Sequence, residues 1–483
     1  MIPRETLLAL ERQALELDPP AETRAQWRRA VAARAEALLE ALPGLPAFTP
    51  GFGSASGALA APFAEEPLAI EDALAILDGE VMAHGINPAS PRSFGYIPGG
   101  GLYPAALGDF LADVTNRYAG VFFAAPGAVR LEMRLVEWLA GLVGYPPESA
   151  GGDLTSGGSI ANLSAVVTAR DAHGLSTADL PRCVVYMSEQ RHHSMDKALR
   201  IAGLSECVRR LVPVDERSRM RAGWLATAIQ ADRREGLLPW LVVATAGTTD
   251  TGAVDPVADI ASIAAAEGLW LHVDAAYGGA FLLCEAGRRA LAGIERSDSA
   301  VIDPHKGLFL PFGSGALIVR DRERLAAANR YHAHYMQDAF RPEVEPSPAD
   351  LSPELSRPFR GLRLWLPLKL FGLAPFRAAL EEKLALARWF HERLGELPEW
   401  EVGPPPDLSV VPFRYRPPRG DEDDFNRRLL AAVQDDGRVF MSSTRLSGRF
   451  TLRLAVLHFR THLADVELAL DVLRHHAARL AGT

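Results

Sequence analysis

Lysine is scarce in this 483-residue chain: of 51 basic residues only Lys197, Lys306, Lys369 and Lys383 are lysines, and the rest are arginine. As solvated surface charges the two types exchange at little cost, but a guanidinium is no usable nucleophile at ordinary pH, so a site needing a deprotonatable amine must keep lysine. Lys197, Lys369 and Lys383 sit in helix-like stretches (MDKALR, LPLKLFG, EEKLALARW), and Lys383 reads as a solvated helix charge. Lys306 differs, because it follows the apolar run AVID and a Pro-His pair, where a strand would end. Asp274 closes a similar run, LHVD, where a carboxylate is costly unless it meets a cation or a strong donor. A salt bridge or a turn cap would satisfy it, and so would a ring nitrogen. The segment TSGGS (155–159) precedes a helical run. Its glycines let a ligand approach the backbone, and the helix start offers N–H groups with partial positive charge, which suit a phosphate. The same residues also read as a plain glycine turn with Ser159 as N-cap.

An anchored phosphate, a buried carboxylate and an isolated lysine together meet the needs of pyridoxal 5′-phosphate (PLP). Lysine forms the Schiff base, the carboxylate keeps the pyridine nitrogen protonated, and the loop holds the phosphate. A metal competes poorly for this chain. His192/His193, His332/His334 and His458/His462 are closely spaced, but no HExxH motif or cysteine pair accompanies them. They read as surface or supporting histidines, and no catalytic metal is expected.

These residues must be carried to one edge of a sheet. CVVYM (183–187), WLVVATA (240–246), LWLHVDAA (269–276) and SAVID (299–303) are near-continuous apolar runs with helical patterns such as VADIASIAAAEG between them. Strands apolar on both faces and separated by helices indicate an α/β fold, a mostly parallel sheet covered on each side. Asp274 and Lys306, one helix apart, can then emerge together where open α/β sheets bind ligands. GALIVRD (315–321) is a further strand, antiparallel or otherwise. Three units are expected: an N-terminal helical arm (1–85), a large PLP-binding domain (86–375) and a small C-terminal α+β domain (376–483) built on LSVVPFRY, RVFMSST and FTLRLAVL.

Five motifs, TSGGSIANL, YMSEQRHHSMDKAL, VVATAGTTDTGAVDPV, LHVDAAYGGA and DSAVIDPHKGLF, stand in an order and spacing that resembles the group II PLP-dependent amino-acid decarboxylases. These include the aromatic-L-amino-acid decarboxylases. The resemblance runs from about residue 90 to the C-terminus. It implies a fold-type I PLP-enzyme architecture, a seven-stranded-type sheet with helices on both faces, and a homodimer. It also assigns roles. Lys306 matches the imine lysine, His305 a phosphate neighbour, and Gly158 and Ser159 the phosphate loop. Asp274 pairs with the pyridine nitrogen, Ala276 packs under the ring, His192 stacks on its other face, and Thr245 stands beside it. Phe94, Tyr96, Ile97 and Pro98, in FGYIPGG, correspond to a substrate-pocket strip, and Arg453 to an arginine near substrate or cofactor. The implied reaction is α-decarboxylation of an aromatic or related L-amino acid to its amine and CO₂.

Departures from the pattern bear on the outcome. Relatives protonate Cα with a tyrosine on a mobile loop, but residues 337–355 hold no Tyr. Tyr331 and Tyr335 lie just upstream, and Phe340 keeps open an oxidative deamination to an aldehyde, as in relatives with Phe there. A carbon–carbon lyase of the same fold is a further alternative. Pro342, Pro346, Pro348 and Pro353 suggest a stiffer or shorter lid. Gly99 stands where relatives can be polar, Ile160 where many are acidic, and Gly307, where many have Trp, is expected to loosen the space beside the imine.

Composition sets the remaining bounds. A hydrophobic fraction of 48% with 23% charged residues excludes a disordered or fibrous chain. A net charge of −9 argues against a general nucleic-acid binder. The scattered Cys183, Cys207 and Cys284 make no disulfide framework and point to a reducing compartment. No signal-peptide core or membrane-spanning run is evident, so a cytoplasmic enzyme acting on a small molecule is expected.

Overall fold

The computed structural model describes residues 2–51, 57–331 and 345–482. Tyr335, Phe340, Pro342, His332 and His334 lie outside the described residues. Helices α1 (Arg4–Ala14) and α2 (Ala21–Ala41) form an arm with no buried residue in either helix. A short antiparallel pair, β1 (Phe48–Thr49) and β2 (Gly85–Ile86), flanks α3 (Ile70–Ile76). The amide of Ala47 ties the end of the arm to the carbonyl of Gly437 at 2.8 Å.

Helices α4 (Tyr103–Thr115) and α5 (Pro126–Val143) lead into the central layer. There β3 (Gly151–Thr155), α6 (Gly158–Ala172), β4 (Cys183–Ser188), α7 (His193–Ile201), β5 (Val208–Val212), α8 (Ala222–Arg234), β6 (Leu238–Thr245), α9 (Val257–Glu267) and β7 (Trp270–Asp274) alternate. The short α10 (Glu285–Ala290), β8 (Ser299–Ile302), α11 (Pro304–Gly307), β9 (Gly315–Val319) and α12 (Arg322–Asn329) complete it. The seven strands lie in the order β3-β9-β8-β7-β6-β4-β5, with β9 antiparallel to both its neighbours and the other pairings parallel. β4, β7 and β8 are buried along their whole length, as their unbroken apolar runs require of a two-sided sheet.

After α13 (Gly361–Phe371) and α14 (Ala374–Gly395), a second sheet of order β10-β11-β13-β12 is wholly antiparallel. It is made of β10 (Trp400–Val402), β11 (Val410–Tyr415), β12 (Ser442–Leu446) and β13 (Arg449–Ala455), with α15 (Glu422–Asp436) and α16 (Leu463–Ala481) packed beside it. The backbone at 92–94 is stitched into this unit. The Phe94 amide donates to the Phe440 carbonyl at 2.7 Å, and its carbonyl accepts from the Ala455 amide at 3.0 Å.

Two titratable groups are inside, one of them, Lys383, expected at the surface. Lys383 is fully buried and donates to Glu382 Oε2 at 2.7 Å and to the carbonyl of Thr461. It sits on the stripe of α14 that also buries Leu380, Leu384 and Ala387, so helical periodicity turns it inward. His458 is likewise fully buried, with burial pushing its pKa down to about 3. Near the main sheet a third buried group, Arg357, is met by Glu132 of α5 and Asp153 of β3.

Candidate active site

The turns that follow β3, β4, β6, β7 and β8 open around a cavity of about 340 Å³ at the carboxyl edge of the parallel strands. β3 feeds its turn into α6 through Gly157, whose φ of 154° and ψ of 171° belong to a region open to glycine. Gly158 follows at close quarters, since a Cβ there would stand 2.8 Å from Asp303 Oδ2. Gly157, Gly158 and Ser159 thus line the cavity at the start of α6, where a helix offers amides to a phosphate.

From the opposite wall, Asp274 at the end of β7 is buried, with Oδ2 accepting from Asn162 Nδ2 at 3.0 Å and Oδ1 from the Ala276 amide at 3.2 Å. Thr245, its cross-strand partner on β6, has its amide held by Asp255 at 2.8 Å. His192 caps α7, its Nδ1 accepting from the Ser194 amide at 3.3 Å and lying 2.8 Å from the Ser194 hydroxyl. Burial pushes the pKa of His192 down, and that of His305 also. After β8, Pro304 opens the short α11 and lifts Lys306 to the rim, its side chain 24% exposed and its Nζ 2.9 Å from Asp303 Oδ2.

The cavity brings together Gly158, Ser159, His192, Thr245, Asp274, Ala276, His305 and Lys306. Amide donors at one end, a buried carboxylate at the other and an amine between them fit PLP, and Asp303 Oδ1, buried without a partner, leaves a polar atom unsatisfied beside the amine. The model described as the pyridoxal-dependent decarboxylase conserved domain matches residues 62–416. The chain belongs to that family. It is a PLP-dependent amino-acid decarboxylase by kinship. It is 36% identical over 376 residues to an aromatic-L-amino-acid decarboxylase of Bacillus atrophaeus, covering 77% of this chain and 78% of the relative. A phenylacetaldehyde synthase of Arabidopsis thaliana is 31% identical over 404 residues, with 81% and 82% covered. Among solved structures, the Oryza sativa TDC with PLP and tryptamine superposes with a TM-score of 0.88 at 30% identity, covering 96% of this chain and 99% of that one.

The substrate-side residues expected from the family pattern are not among those that line this cavity. Phe94 is a core residue of the small domain, because its backbone is part of that unit. Ile97 and Pro98 are buried, while Tyr96 is 62% exposed at a φ of 55°. Arg453 is buried and occupied by Ser442 Oγ at 2.8 Å and the Tyr96 carbonyl at 2.9 Å, so it grips the strip rather than facing the cavity. The strip does reach the site from outside: a Cβ on Gly99 would stand 2.1 Å from the His305 carbonyl. Gly307 does not loosen its surroundings, because a Cβ there would meet Ala280 Cβ at 2.5 Å.

Reading the sequence passed over Asn162, Ser194, Asp303 and Tyr277, all of which line the cavity. Asn162 and Asp303 had a local signal. Asn162 is one helical turn beyond Gly158, and Asp303 one turn before Lys306, so each shares a face with a residue already singled out. Tyr277 had none. Its hydroxyl bonds Ser409 of the small domain at 2.6 Å, and burial raises its pKa to about 12. No helix among the described residues is long and apolar enough to cross a membrane.

Proposed function

We propose that this chain is an α-decarboxylase of aromatic L-amino acids, releasing CO₂ and the corresponding amine, and that it works as a cytoplasmic homodimer. The observation that carries this reading is the joint placement of Lys306, Asp274 and the α6 amides around one cavity, in a chain so similar to an aromatic-L-amino-acid decarboxylase. Gly158, Ser159 and His305 would hold the cofactor phosphate, His192 and Ala276 its two ring faces, Thr245 its edge, and Lys306 its covalent attachment. When bound, PLP supplies an electron sink for the pair left behind by departing CO₂. Asp274 would hold the proton at the ring nitrogen, which makes that sink effective. Asp303, 2.9 Å from Lys306 Nζ, is placed to take the amine's proton and return it. His192, whose pKa burial pushes down, lines the same cavity. Tyr96, Ile97 and Pro98 would form the outer wall, held in place by Arg453, and the exposure of Tyr96 accords with a wall completed by a second subunit.

A second reading, oxidative decarboxylation to an aldehyde, draws support from the lack of Tyr in 337–355 and from the kinship with a phenylacetaldehyde synthase. The deciding experiment reconstitutes the protein with PLP and supplies Trp, Tyr, Phe and Glu in turn. Amine and CO₂ from the aromatic substrates support the first reading. Aldehyde with ammonia and peroxide, with O₂ consumed, establishes the second, and turnover of Glu alone removes the aromatic assignment.

A further inference from the structure

Behind the cavity runs a chain of hydrogen bonds whose direction is fixed at every link. Trp270 Nε1 can only donate, and it donates to Ser299 Oγ at 2.9 Å. At the other end Asn162 Nδ2 donates to Asp274 Oδ2, so its Oδ1 faces His272 and takes the hydrogen of Nε2 at 2.9 Å. Neutral His272 is then an acceptor at Nδ1, where the Ser299 hydroxyl donates across 2.8 Å. The two amide hydrogens of Asn162 go to Asp274 Oδ2 and to Ser194 Oγ, each at 3.0 Å. Ser194, having accepted, donates to His192 Nδ1 at 2.8 Å. Burial holds the pKa of His272 near 4, so the chain keeps this polarity at neutral pH. Asn162 is its only branch point, 1% exposed, and it reaches both walls of the cavity.

We infer that Asn162 is a positioning residue that aims the Asp274 carboxylate and, through Ser194, fixes His192 as the Nε2–H tautomer, with His272 barring a flip of the amide. A flipped amide would set Oδ1 against Asp274 and point NH₂ at the His272 N–H, two repulsive contacts in a dry site. The inference rests on the decarboxylase reading and specifies how this chain prepares its cofactor contacts.

Three variants test it: Asn162→Ala, Ser194→Ala and the double variant. They are compared with wild type by titrating the apoprotein with PLP through fluorescence quenching and by measuring kcat and KM against pH. Asn162→Ala should weaken PLP binding about tenfold, the loss of a hydrogen bond to a charged group. It should lower kcat about 100-fold while KM stays within about threefold, as for other preorganised donors. In Ser194→Ala the hydroxyl donor onto His192 Nδ1 is gone and only the backbone amide at 3.3 Å remains, so protonation becomes easier and the acid limb of kcat moves to higher pH. The groups facing His192 are His193, Asp274, Asp303 and Lys306, which all remain. The double variant should match Asn162→Ala within about threefold, because both residues act along one path. Unchanged PLP affinity and kcat in folded Asn162→Ala, or additive losses in the double variant, would overturn the inference. If Asn162→Ala does not fold, an unmoved acid limb in Ser194→Ala overturns it. A wild-type protein that binds no PLP would instead remove the cofactor reading beneath it.

Discussion

Lys306 and Lys383 are both drawn away from bulk water, yet their surroundings leave different things undone. Lys383 is sealed between α14 and the turn before α16, with Glu382 and the Thr461 carbonyl as acceptors, and the neighbouring His458 is sealed beside it. Lys306 stands at a cavity rim, faces one carboxylate at 2.9 Å, and that carboxylate keeps a buried oxygen without a partner. The first arrangement spends its charge on joining elements. The second keeps an amine and a carboxylate open towards space that a ligand can enter. Burial alone, even of a residue as scarce as lysine here, does not mark a site; burial left incomplete towards a cavity does.

The sharpest way to break this contrast is to exchange the consequences. Lys306→Ala should abolish the visible absorption of the PLP-loaded protein and lower kcat by roughly 10⁴-fold or more, since covalent attachment is lost. Its unfolding free energy in urea should change by no more than about 1 kcal/mol, because a partly exposed side chain at a rim contributes little packing. If PLP-loaded Lys306→Ala kept the band, the lysine would have been misassigned. Lys383→Ala should behave in reverse. Opening a cavity on α14 and leaving the Thr461 carbonyl unmet should cost about 2–4 kcal/mol in denaturant unfolding, since Glu382 is partly exposed and keeps His462. The kcat of the folded fraction should stay within about twofold of wild type. Loss of turnover without loss of stability would place Lys383 in the chemistry.

A smaller effect is expected at Gly307, beside Lys306. Its added methyl would stand 2.5 Å from Ala280 Cβ, so Gly307→Ala should destabilise by about 1–3 kcal/mol through overpacking. It should also raise the KM for substrate as the Lys306 backbone shifts. A variant as stable and active as wild type would show that the turn after β8 has room to give, as the absence of a side chain there first suggested.

Much of this was legible before the structure, and the failures share a cause. The strands that bear Asp274 and precede Lys306 are apolar on both faces, so their runs are unmistakable. β5 escaped notice because it is an edge strand, VRRLV, with alternate residues turned to solvent, and β3 because GGDLT hides a strand behind two glycines. GALIV proved antiparallel, a matter of topology that its composition does not encode. Lys383 was misread from its acidic neighbours, when the spacing of Leu380, Leu384 and Ala387 already placed it on the core stripe. Phe94 matched a substrate strip by position, but its backbone pairs with Phe440 and Ala455, more than 300 residues away in sequence. Asn162 and Ser194 matter only because α7 packs on α6 and α6 beside β7. Such across-element relations are what a local pattern cannot express.

The gentlest test of the contrast uses protons. His272 lies behind the open cavity and His458 in the sealed pocket, and burial lowers their pKa values to about 4 and about 3. In the unfolded chain each titrates near 6.5, so between that value and the native one the unfolded state binds a proton that the native state refuses. Stability therefore rises with pH across this window and falls as pH drops, by about 1 kcal/mol per histidine between pH 6.5 and 5.5. Asp255 works in the opposite sense. Burial pushes its pKa up to about 6, so the native state takes up a proton as pH falls through 6, which offsets part of the loss. The total slope is thus ambiguous, but the difference between wild type and His458→Gln is not, because Asp255 is common to both. Urea midpoints at pH 7.5, 6.5 and 5.5 should fall less steeply in the variant, with the PLP affinity of both proteins equal at pH 7.5. Equal slopes would mean that His458 reaches water in the native protein, and the sealed pocket would lose its claim to be the structural counterpart of the open one.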